Sequence, residues 1–147
     1  MNKLRALVQL TSEDRWLLTQ AFIAMVICRV RLRVHNIEKL RVWAAHPGNG
    51  ATAVDRLVWA VEVASRRMPG ATCLCRALAL QRMLAKNGYG SELRIGIEKN
   101  DDQFGAHAWL VHSDRVLIGD SQLEKFQLLA TWQAGASLSA SRRKDAA

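Results

Sequence analysis

Cys73, His107 and Asp120 are the residues whose types and order could together do chemistry. A thiol becomes a nucleophile when its thiolate is stabilised, and the partial positive charge of a helix N-terminus contributes to that. Cys73 directly follows Thr72, a residue type that caps helices, so it falls in a first helical turn. The dipole supplies only about 0.3–1 kcal/mol. An imidazole must therefore stand near the sulfur for it to react. His107 is the candidate, on a segment whose alternation places it on one face with Trp109 and Val111. A tight turn at Ser113-Asp114 would lay the following strand, ending Leu117-Ile118-Gly119-Asp120, beside it. Asp120 would then come near His107 and accept its second ring proton, completing nucleophile, base and orienting acid. Asp114 is the rival acid, but it sits in a turn, where aspartate needs no functional reason. His112 falls on the opposite strand face and is incidental.

Helical angles separate the neighbouring thiols. At about 100° per residue, Cys73 shares the apolar side of Ala77, Leu80 and Leu84. Cys75 lies with Ala79, Arg82 and Lys86 on a more polar side. Cys73 is thus expected to point toward a sheet and Cys75 away from it. Taken from this helix alone, Cys73 serves equally well as a small buried hydrophobe. A C-x-C with one distant histidine lacks the paired spacing of common zinc sites, and no βαβ pattern accompanies it to suggest a redox pair. Neither a metal nor a cofactor is expected.

The elements that must position these residues follow from periodicity and punctuation. Residues 12–45 read as helical, with Ser12 as a cap and Glu13 and Asp14 at the start. His46-Pro47-Gly48-Asn49-Gly50 breaks the pattern. Thr52, with Asp55 three residues on, opens a second helix that closes at Met68-Pro69-Gly70. Thr72 opens a third, ending at Asn87-Gly88. The period then changes: Leu93, Ile95 and Ile97 alternate with charged residues as in a half-buried strand. Asn100-Asp101-Asp102 makes a turn, Ala106 to Val111 a second strand and Val116 to Ile118 a third, followed by a short apolar segment at 123–132. The fold class is α+β, helices first and an antiparallel sheet after. Three regions are expected: a helical part over 1–50, a catalytic core over 51–134 and a disordered tail over 135–147.

Twenty-one Lys and Arg against thirteen Asp and Glu leave a net charge of +8. No RNA-binding or zinc-finger pattern accompanies the excess, so nucleic acid is not the expected partner; a solvated helix face or an anionic partner is. Three cysteines, two of them only two residues apart on one helix and so poorly placed to bridge, argue against a disulfide framework and for a reducing, cytoplasmic compartment. The apolar run Trp16 to Cys28 spans only about 20 Å, short of the roughly 30 Å core of a bilayer. It leaves association with a membrane surface or a transporter open.

Thr72-Cys73-Leu74-Cys75-Arg76-Ala77-Leu78-Ala79-Leu80, with Leu84, Gly88, Leu93-Arg94-Ile95-Gly96-Ile97 and Gly105-Ala106-His107-Ala108-Trp109, resembles the lasso-peptide leader peptidases. These are transglutaminase-like cysteine proteases, and the resemblance runs from about residue 11 to 121. It implies a papain-like order in which Cys73 is the nucleophile, His107 the general base and acid, and Asp120 the orienting carboxylate. It further implies cleavage of a ribosomally made precursor peptide between leader and core, with the core then closed by a separate asparagine-synthetase-like cyclase. Two positions depart from the family: Leu110-Val111 stand where Val-Glu is frequent, and Cys75 stands at a variable position. Single-chain members carry a winged-helix leader-recognition module ahead of the protease. Residues 1–50 read as helix without a strand triplet, so a split system with a separate leader-recognition protein is expected. A transglutaminase-like acyl transferase and a peptide-binding protein with a degenerate site are the other readings of the same residues.

Overall fold

The computed structural model describes residues 9–34, 36–98, 105–120 and 122–135. Four helices come first: α1 (Ser12–Val34), α2 (Ile37–Ala45), α3 (Val54–Arg67) and α4 (Cys73–Lys86). Four strands follow: β1 (Ser91–Glu98), β2 (Ala106–His112), β3 (Arg115–Ile118) and β4 (Phe126–Ala134), the last preceded by a short 3-10 turn at Leu123–Lys125. They form one antiparallel sheet in the order β3-β2-β1-β4. The α+β class expected from the sequence holds.

Local chemistry explains the helix ends and corrects three readings. The cap of α1 is Thr11, not Ser12: Asp14 N–H donates to Thr11 Oγ1 at 3.1 Å, and Thr11 N–H donates back to Asp14 Oδ2 at 3.1 Å. The 12–45 helix is two helices, because Asn36 takes an extended conformation and its side chain accepts from Glu38 N–H. Helix α3 begins one residue later than Thr52 suggested. Ala53 is its cap and supplies no side-chain bond, while Asp55 pairs with Arg115 at 2.6 Å instead of closing a capping box. The backbone N–H of Thr52 donates to Asn87 Oδ1 at 2.9 Å, which ties the loop before α3 to the end of α4.

One core joins these elements. Leu17, Ala21, Met25 and Cys28 of α1 pack with Leu40 of α2, Leu57 and Val61 of α3, Leu80 and Leu84 of α4, and Leu93, Ala108 and Leu110 of the sheet. Each fully buried leucine contributes roughly 1.5–3 kcal/mol of transfer free energy. The N-terminal helices therefore share the core of residues 51–134. Much of the basic excess is engaged locally: the guanidiniums of Arg31 and Arg82 lie 5.5 and 5.4 Å from the Trp43 ring, and that of Arg41 lies 4.8 Å from Trp132.

The apolar segment at 123–132 is mostly the fourth strand, β4, which pairs with β1 along its length. Its register slips between Ile95 and Gly96, and its leucines at 128 and 129 are both exposed. The turn placed at Asn100–Asp102 and the tail beyond Gly135 lie outside the described residues.

Candidate active site

Helix α4 packs on β1 and β2 and carries Cys73 as its first residue. Thr72 caps it, its Oγ1 accepting from Cys75 N–H at 3.2 Å, and Arg76 N–H makes the first backbone bond to Thr72 O at 3.0 Å. The N–H groups of Cys73 and Leu74 have no acceptor among the described residues. Two donors thus lie free at the head of the helix, beside a half-buried thiol. Thr72→Ala is expected to cost about 1 kcal/mol and lower the thermal midpoint by roughly 2–4 °C, with Thr72→Ser retaining most of it; denaturant titration checks this.

Cys75 is buried on the far side of α4 from Cys73. The side that reads as polar in the sequence is covered by α1: the Cys75 thiol donates to Met25 O at 3.4 Å, and Cys28 is buried beside it. Hydrogen bonding to Cys75, with burial behind it, pushes the Cys28 thiol up; the same bond draws Cys75 down against its burial, helped by the Arg29 charge. The polar residues of that side reach past the covered surface. Arg82 donates to Trp43 O and His46 O at 3.0 and 3.2 Å, closing the C-terminal end of α2.

His107, the second residue of β2, stands in an aromatic slot. Its ring stacks on Phe126 at 5.0 Å and on Trp109 at 6.1 Å. Gly96 lies opposite His107 in the register, and the slot needs it to be glycine. A Cβ there would come within 2.9 Å of Phe126 Cβ and 3.1 Å of Trp109 Cη2. The ring is also anchored: His107 Nε2 is 2.7 Å from Gly119 O. A carbonyl only accepts, so Nε2 carries a proton and Nδ1 is the bare, basic nitrogen of the neutral ring.

The hairpin that delivers this carbonyl is as expected. Ser113 and Asp114 both take positive φ, 49° and 61°, which makes a two-residue turn matched to strand twist and accounts for Asp114. His112 is also accounted for structurally, since its Nδ1 bonds Gly90 O and its ring meets Tyr89 edge-on. Past β3, Gly119 turns out of the strand at φ +82°, where a Cβ would lie 2.6 Å from Ala108 O. Asp120 follows, exposed. Among the described residues no hydrogen bond joins Asp120 to His107, and none joins the Cys73 sulfur to either. The partner of the ring is the carbonyl of the residue before the expected carboxylate. Ala108 and Leu110 join the helix-packed core, while His107 alternates with them onto the face of Trp109.

Residues 17–131, well over half the chain, match the model of a family described as the Transglutaminase-like superfamily. The chain belongs to that superfamily. Transglutaminase-like proteins are generally cysteine peptidases or acyltransferases. The match begins within α1, so the first helix is part of the family's domain as well as of its core. No curated protein and no solved structure matches the chain. Val111 is buried opposite Glu92, which pairs with Arg94 at 2.9 Å. Among the described residues no cluster of His, Cys, Asp or Glu is placed to hold a metal ion, and no helix is long and apolar enough to cross a membrane.

Two contributors are absent from the sequence reading. Gly119 acts through its backbone, which residue type alone does not reveal; a glycine directly after an alternating strand was the available signal. Phe126 reaches His107 only through the β1–β4 pairing.

Proposed function

We propose that this chain is a cysteine peptidase that releases the leader from a ribosomally made lasso-peptide precursor. The observation that carries the reading is the anchoring of His107 Nε2 on Gly119 O in a transglutaminase-like chain, which leaves Nδ1 as the one nitrogen able to take a thiol proton. The Cys73 sulfur attacks the carbonyl carbon of the scissile amide, and its proton goes to His107 Nδ1. The free N–H groups of Cys73 and Leu74 receive the developing oxyanion. The tetrahedral intermediate collapses as the imidazolium protonates the leaving core amine, giving a Cys73 thioester. Water, deprotonated by the same nitrogen, then hydrolyses the thioester to the leader carboxylate and the free thiol. For this chemistry the thiol at the head of α4 and the imidazole on β2 must come into hydrogen-bond reach in the substrate complex, where such contacts tighten. Gly119 O orients the ring.

The partners of this reading are the precursor, a separate leader-recognition protein and an asparagine-synthetase-like cyclase acting on the released core, in the cytoplasm. The test incubates the precursor with the chain, with and without the recognition protein, and follows peptide masses. Leader and core whose masses sum to precursor plus one water, lost in His107→Ala, are the expected result. A product carrying an added amine would make the chain an acyl transferase. Binding without turnover would make it a peptide-binding protein.

A further inference from the structure

A cleft of about 380 Å³ opens beside the loop that runs from α3 into Cys73. Glu62, Ser65 and Arg66 of α3, Gly70 and Ala71 of the loop and Arg76 of α4 line it. Ala71 precedes Cys73 by two residues and Arg76 follows it by one helical turn, so the cleft flanks the thiol along the chain. Arg76 Nε is buried and has no hydrogen-bond partner. A buried donor left unmade is costly and calls for an acceptor. Arg29 approaches the same loop from α1: its Nη1 donates to Pro69 O, and a Cβ at Gly70 would lie 3.3 Å from its Nη2. Three guanidiniums from three helices thus surround one short loop, and Glu62 is the single carboxylate on the cleft wall. Among the described residues Glu62 makes no ion pair with Arg66 or Arg76.

We infer that this cleft is a specificity subsite beside the thiol and that it receives a carboxylate of the peptide substrate, held by Arg76 and Arg66. Guanidinium groups suit planar anions through paired N–H donors, and Arg76 brings one N–H that has no partner within the fold. Glu62 in the same cleft opposes a group of higher negative charge such as a phosphate. The assignment rests on the reading of Cys73 as the nucleophile and adds the acidic character of the residue flanking the scissile bond.

The test uses two alkylators of nearly equal shape, anionic iodoacetate and neutral iodoacetamide, on the full chain, with the rate at Cys73 read by peptide mapping. Arg76→Gln and Arg66→Gln are each expected to lower the iodoacetate-to-iodoacetamide rate ratio by about fivefold, the loss of one charge-assisted contact. Arg33→Gln, an equal change of net charge on an exposed part of α1, leaves the ratio unchanged. Arg66 is exposed, so its substitution keeps the test decisive even where Arg76→Gln fails to fold. An unchanged ratio in Arg66→Gln and in any folded Arg76→Gln, or an equal fall in Arg33→Gln, overturns the subsite. A Cys73 that reacts with iodoacetamide no faster than a free thiol overturns the nucleophile reading instead, and the ratio still reports on the cleft.

Discussion

Replacing Cys73 with alanine is expected to abolish leader release, with kcat/KM lowered at least about 10³-fold, while Cys75→Ala retains it. The contrast follows from position. Cys73 stands half-buried at the capped head of α4 with unbonded N–H groups beside it, whereas Cys75 is sealed under α1 with its thiol on Met25 O. The fold should tolerate the first change with little loss. The second removes a buried sulfur with its bonds to Met25 O and Cys28, and is expected to cost about 1–3 kcal/mol in denaturant titration. Mass spectrometry of the precursor reaction reads the activities directly. Activity lost in Cys75→Ala, with a native circular-dichroism spectrum, would mean that the wrong thiol had been chosen.

The second large effect is expected at a residue with no side chain. Gly119→Ala puts a Cβ 2.6 Å from Ala108 O in a backbone conformation that L-residues avoid, so the segment has to shift and take its carbonyl away from His107. A misplacement of about 1 Å in a catalytic group costs on the order of 10²-fold in rate. The loss should fall on kcat with KM nearly held, because Gly119 touches the imidazole and not the peptide. Asp120→Asn, by contrast, keeps the carbonyl in place and removes only a charge. Its loss should be roughly tenfold, the scale of about 1.4 kcal/mol. A larger loss in Asp120→Asn than in Gly119→Ala would return the orienting role to the carboxylate.

What could be read from residue order was local. Thr72 as a cap, Ser113-Asp114 as a two-residue turn, Asn87-Gly88 as a helix end and the strand assignments of β1 and β2 each depend on a few adjacent residues, and each stands in the fold. Strict alternation does not hold within those strands: Ile97 is exposed and Ala108 to Val111 are all buried. The failures share a different cause. Strand β4 pairs on one side only and slips register at Gly96, so Leu128 and Leu129 stand exposed together and alternation disappears. Thr52-x-x-Asp55 looked like a capping box, but distant partners won: Asn87 holds the Thr52 backbone and Arg115 takes Asp55. The side of α4 carrying Cys75 was rightly separated from that of Cys73 by angle. Its burial under α1 could not be seen, because Arg82 and Lys86 give that side a polar look. Of the candidate site, Cys73 and His107 were visible by type; the carbonyl that holds the imidazole, and the ring of Phe126 behind it, come from chain segments brought in by the sheet.

The closure of α1 over Cys28 and Cys75 has a consequence for how this molecule breathes. Both sulfurs are at most 2% exposed, so a labelling reagent reaches them only while α1 is lifted from α4. In a Cys73→Ala chain, the slow appearance of label at positions 28 and 75 would therefore count those openings. Set against the rate of global unfolding, it would tell whether the first helix departs alone or only with the whole fold.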